Sequence, residues 1–226
     1  MRTEILQAPD FGMLRVTFQD RHEEFVAESG AMVAHSAGVK IKTSLEGGLL
    51  AAAKRKVVGG ESLFRNTFSA SAPGQHVLLA PPQEGDLRKM KLRPGEYFHF
   101  VSGAYVAHTG EVKLDTAWQG ARAILSGTGF FILKATGPGE IFFGAYGAIE
   151  EFDVGPDGLT VDNGQILGFG SDVNYELRKF GGYRSFFLGG EGVVCHFTGS
   201  GKVLVQTNNV AGLATLLSGY RSEKSN

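Results

Sequence analysis

Six histidines, one cysteine and a few charge clusters are the side chains of this 226-residue chain whose types could do chemistry. His35 and His108 hold the same place in two nearly identical segments, Ser29-Gly-Ala-Met-Val-Ala-His35 and Ser102-Gly-Ala-Tyr-Val-Ala-His108. A histidine pair is the start of a metal site, because neutral imidazole binds zinc and its neighbours well. A third ligand is missing: no carboxylate or thiol stands at ligand spacing beside either one. A third, weaker segment, Asn163 to Leu177, puts Phe169 at the histidine's place. The favoured reading is a structural histidine at a turn, and the enzymatic alternative is a cupin-like metal-dependent enzyme using His35 and His108. Cupins place two histidines two apart on a strand with a following Glu, and His99, between Phe98 and Phe100, has no such partner. No catalytic, metal-binding or cofactor-binding residue is assigned, and no cofactor is expected.

The other candidates are weaker. Cys195 adjoins His196, but neighbours on a strand point to opposite faces, so the histidine is badly placed to activate the thiol and a buried structural cysteine is expected. Arg88-Lys-Met-Lys-Leu-Arg93 could touch phosphates or an anionic membrane surface. Glu84, Asp86 and Glu96 dilute its charge, which favours a solvated strand face over a weak nucleic-acid or lipid site. Glu150, Glu151 and Asp153 read as a solvated hairpin end, and Asp153 to Gly158 and Asp162 to Gly164 as turns, because the residue order of a calcium loop is missing. Phosphate-loop, dinucleotide and nucleophile-elbow signatures are absent from the sequence.

The elements that would carry these residues are repeated. A second block follows each of the three segments: Gly59 to Phe68, Ser126 to Ala135 and Gly189 to Thr198. A turn and a further strand come next, at Pro73 to Ala80, Pro138 to Ala145 and Ser200 to Thr207. Val39, Ile41 and Thr43 alternate with lysines, as Val112, Leu114 and Thr116 and then Val173, Tyr175 and Leu177 alternate with polar residues, which is the period of a half-buried strand. Phe130 to Leu133 and Val203 to Val205 are continuously apolar, as strands covered on both faces are. Helix is scarce: only Gly48 to Val57 and Val210 to Ser218 offer a turn or two of it, and the first reads equally well as strand.

Composition agrees. Glycine supplies 33 residues and proline only 7, so the chain is turn-rich without being low in complexity. The net charge of -1 argues against a polyanionic partner. The longest small or apolar run, Gly47 to Ala53, is far short of the ~20 residues of a spanning helix. The opening Met1-Arg-Thr-Glu-Ile-Leu breaks off after two apolar residues, so no export signal is expected and a cytoplasmic location is.

Ser102 to Thr109, Gly59 to Phe64, Gly144 to Glu150 and Gly189 to Gly192 together resemble the family of the Altered Inheritance of Mitochondria protein 24. The resemblance covers nearly the whole chain and rests on glycine and apolar patterns rather than catalytic signatures. It implies a fold like that of the tryptophan RNA-binding attenuator protein: double-stranded β-helix-like sandwich units, three times repeated with pseudo-threefold symmetry. Most prokaryotic members are uncharacterised, and the mitochondrial relative is associated with inner-membrane organisation. The reading is therefore an all-β chain of three units, about 1–90, 91–155 and 156–217, with a loose tail at 218–226. Its expected role is a non-enzymatic scaffold that binds another protein or further copies of itself. Peripheral membrane association is left open.

Overall fold

The computed structural model describes residues 1–45, 64–116, 131–179 and 193–220. Nearly everything in it is β. The first group of strands is β1 (Arg2–Leu6), β2 (Met13–Thr17), β3 (Glu24–Glu28), β4 (Met32–His35), β5 (Lys40–Leu45), β6 (Phe64–Ser69) and β7 (His76–Leu79). A second group follows: β8 (Leu87–Leu92), β9 (Tyr97–Val101), β10 (Tyr105–Gly110), β11 (Lys113–Thr116), β12 (Ile132–Thr136) and β13 (Gly139–Gly144). The third is β14 (Ile149–Asp153), β15 (Leu159–Asp162), β16 (Ile166–Gly170), β17 (Val173–Lys179), β18 (Val193–Gly199) and β19 (Lys202–Gln206), after which comes helix α1 (Val210–Ser218).

One pairing order recurs. Strands β2-β7-β4, β8-β13-β10 and β14-β19-β16 are neighbours in one kind of trio, and β5-β6-β3, β11-β12-β9 and β17-β18-β15 in the other. Strand β1 adds itself outside β2. Two seams then join the groups: β3 pairs antiparallel with β10, and β9 with β16. Each seam fuses two trios into a six-stranded sheet, so the described strands form sheets of four, six, six and three. In β4, β10 and β16 the register slips at the corresponding place, between Met32 and Ala34, between Tyr105 and Ala107, and between Ile166 and Gly168. A bulge of this kind bends the strand and sharpens its twist.

Residues 90 and 155, the approximate unit boundaries expected from the sequence, fall inside β8 and just after β14. The linkers ahead of them touch. The Gly12 amide donates to the Gly85 carbonyl at 2.9 Å, and the Asp86 amide to the Gly147 carbonyl at 2.8 Å.

The core lies in two clusters. Leu14, Val16, Phe18, Phe25, Phe68 and Leu79 fill the first, where Leu87, Val106 and Phe142 of the second group also enter. Phe25 and Phe68 stack there with centroids 5.0 Å apart, and each fully buried ring contributes about 1.5–3 kcal/mol through removal of apolar surface from water. The second cluster runs from Leu92 to Leu204 through both remaining groups and includes Phe100, Ile141, Phe197 and Val203.

The expected alternation holds at Val112 and Leu114, which are buried, but Ile41 is exposed although Val39 is not. Glycines 74, 139 and 201 take positive φ in the expected turns between β6 and β7, β12 and β13, and β18 and β19. The tail helix is present at Val210–Ser218 with Asn209 as its cap, accepting from the Gly212 amide. Gly48 to Val57, and the glycine pairs at 59 and 189, lie outside the described residues. No helix among the described residues is long and apolar enough to cross a membrane.

Candidate interaction surface

The two aligned histidines have opposite surroundings. His108 is buried in the first seam, where its Nδ1 lies 2.9 Å from the Tyr105 hydroxyl, which also donates to the Val26 carbonyl at 3.3 Å. The Arg65 guanidinium sits 5.5 Å from the Tyr105 ring centroid. Burial first, and the Arg65 charge second, hold His108 down at about 3, so it is a neutral core residue at ordinary pH. His35 is exposed on β4, in a different sheet, and its Nδ1 lies 2.9 Å from the Ser36 carbonyl. In the second seam Phe169 stands where the histidine would, stacked on His99 at 4.8 Å. Burial, with the Lys134 charge behind it, lowers His99 as well. Among the described residues no three His, Cys, Asp or Glu side chains gather as metal ligands would.

The contrast at the histidines extends along their strands. Tyr105 and Val106 of β10 are 3% and 1% exposed, whereas Met32 and Val33, at the same positions of β4, are 38% and 57% exposed. Ile166 and Leu167 of β16 are buried like their counterparts in β10. The cause is the seam: β3 covers the outer edge of β10 and β9 that of β16, while among the described residues β4 ends its sheet. Strand β15 is the complementary case. It corresponds to β3 and β9, yet among the described residues it ends its own sheet, with Thr160 exposed and Leu159 and Val161 half-buried. Helix α1 adds apolar surface, with Val210, Leu213, Leu216 and Leu217 exposed and none of its residues buried. Both elements thus carry apolar side chains at the surface.

Residues 3–208 match the protein family described as Mitochondrial biogenesis AIM24. The chain belongs to the AIM24 family. An uncharacterised protein of Streptococcus pyogenes serotype M6 is 25% identical over 234 residues, spanning all of this chain and 93% of that one. The crystal structure of a Streptococcus pyogenes protein superimposes with a TM-score of 0.78 at 25% identity, covering 97% of this chain and 99% of the other.

The remaining candidate residues of this AIM24 chain are held locally. The basic run lies on β8 and the residue after it: Arg88 donates to Asp86 at 2.7 Å and to the Ile149 carbonyl at 2.6 Å, Lys89 to Glu140 at 3.2 Å and Arg93 to Glu96 at 3.4 Å. Glu150, Glu151 and Asp153 lie along β14 rather than at a hairpin end, exposed, with Glu151 paired to Lys202. Asp162 does make the expected turn, accepting from the Gly164 amide at 2.7 Å. Cys195 is buried on β18, and burial pushes its thiol up to about 12. His196 faces away from it, with Nδ1 3.0 Å from the Thr160 hydroxyl.

From the sequence, edges of an open β unit are expected to need covering by neighbouring units or another chain, but not which strands, β4 and β15, would carry them. A signal for them existed: three segments of the His35 type occur, but only two of them are preceded by a strand from the group before. The first one in any such row has nothing to pair with.

Proposed function

We propose that this AIM24-family chain is a non-enzymatic β-scaffold, three copies of one six-stranded unit whose exposed faces bind protein. The unit boundaries that fit best lie in the linkers at 80–86 and 145–148, and the recurring pairing order and bulge support them. The observation that carries the reading is apolar side chains at the surface in ordered structure: Met32 and Val33 on β4, and Leu213, Leu216 and Leu217 on α1. Holding such a helix without a buried face costs hydration free energy that a partner would recover.

The test pairs affinity capture with a turnover screen. The unaltered chain is expected to retain a partner that the double variant Leu216→Asp, Leu217→Asp releases, while both remain folded by circular dichroism. Turnover of any substrate in a broad hydrolase and oxidase screen, lost on His35→Ala or His108→Ala, overturns the reading.

A further inference from the structure

Every edge strand of a sheet offers unpaired amides and carbonyls to another chain, and proteins blunt such edges with charge. This chain does so where edges recur in each group. Strand β8 carries Arg88, Lys89 and Lys91, β14 carries Glu150, Glu151 and Asp153, and β5 carries Lys40 and Lys42. Strand β4 is different. It reads Met32-Val-Ala-His35, with no lysine, arginine or carboxylate, and all four residues are exposed. In β15 only Asp162 is charged, and that carboxylate is engaged by the Gly164 amide.

Both seams within the chain have one register. His108 stands opposite Val26 in the first, and Phe169 opposite His99 in the second. On their inner sides Val26, His99 and Thr160 stand opposite Thr67, Lys134 and His196, which occupy matching places in β6, β12 and β18. Thr160 is therefore the counterpart of Val26 and His99, and His35 the counterpart of His108 and Phe169.

We propose that β15 of one chain pairs antiparallel with β4 of a second copy, forming a third seam with His35 opposite Thr160, Ala34 opposite Val161 and Ser36 opposite Leu159. This rests on the scaffold reading and names a partner for it. The contact is heterologous: a dimer joined by it still has one free β4 and one free β15, so assembly continues into a larger ring or a filament.

The test joins cross-linking to sedimentation. His35→Cys and Thr160→Cys change two exposed positions, and directly opposed cross-strand residues come within disulfide reach. On mild oxidation, a mixture of the two single variants is expected to give a cross-linked dimer that neither gives alone, and the double variant a ladder of multimers. Thr160→Cys should cross-link better than Asp162→Cys, which is out of register. Sedimentation of the unaltered chain should reveal species above a dimer as concentration rises, and Val33→Lys should return them to monomer.

A bridge between two His35→Cys chains, a bridge within one double-variant chain, or a monomer at every concentration overturns the pairing. A monomer whose α1 face still captures a partner overturns it and leaves the scaffold reading intact. Multimers that also turn over a substrate through His108 keep the pairing and overturn that reading instead.

Discussion

The Tyr105 hydroxyl and Nδ1 of His108 lie 2.9 Å apart inside the seam between β3 and β10, in a place that excludes a charged imidazole. An unfolded histidine takes its proton near pH ~6.5. Folded His108 takes one only at about 3. Over that window the unfolded chain binds the extra proton, so stability is greatest above ~pH 6.5 and falls as the pH drops, by up to about 1.4 kcal/mol per pH unit for this group. Urea midpoints measured between about pH 4 and 7 should decline accordingly. His108→Phe, the residue type of the second seam, should remove that part of the slope and leave the smaller one from His99, which burial also lowers.

Gly168→Ala tests the second seam. A Cβ there would lie 2.4 Å from the His99 carbonyl oxygen and 2.9 Å from the Phe98 ring, and the backbone oxygen cannot move without breaking the pairing of β16 with β9. A loss of about 1–3 kcal/mol, as for overpacked cores, is expected in chemical denaturation. The first seam carries Ala107 at the matching position, opposite Ala27.

Arg88 ties the second group to the third through the Ile149 carbonyl while neutralising Asp86, whose side chain is only 4% exposed. Arg88→Ala leaves that carboxylate without its cation and should cost about 1–2 kcal/mol, the guanidinium's partial exposure moderating the loss. Arg88→Lys should recover part of it, since an ammonium keeps the charge but not the two directed donations.

Cys195 should be silent toward a thiol reagent in the native protein and react as denaturant opens the third group, because burial pushes its pKa up to about 12. Ready labelling at neutral pH without denaturant would contradict its place in the core.

Strand positions, turn glycines, the tail helix and the buried cysteine were all legible, since each follows from a local pattern: alternation at Val112 and Leu114, positive φ at Gly139, a thiol on an apolar strand. Burial of the aligned segments was not. Met-Val-Ala-His at 32–35 and Tyr-Val-Ala-His at 105–108 are almost the same words, yet the first is at the surface and the second in the core. What separates them is a strand supplied from about eighty residues away, and no local pattern encodes that. Two structural positions likewise came from partners distant in the chain: the neutral state of His108 beside Arg65, and the anchoring of Arg88 on Ile149.

The seams also set a schedule for synthesis. Val26 must wait for His108, 82 residues later, before its strand gains a neighbour on that side. At about 5–20 residues per second this is roughly 4–16 s on the ribosome, during which β3 is a bare edge. Strand β9 then waits for β16 in its turn. A nascent chain of this protein thus never stops presenting one fresh template strand to its surroundings, and neighbouring ribosomes on one message could supply the wrong match before the right one emerges.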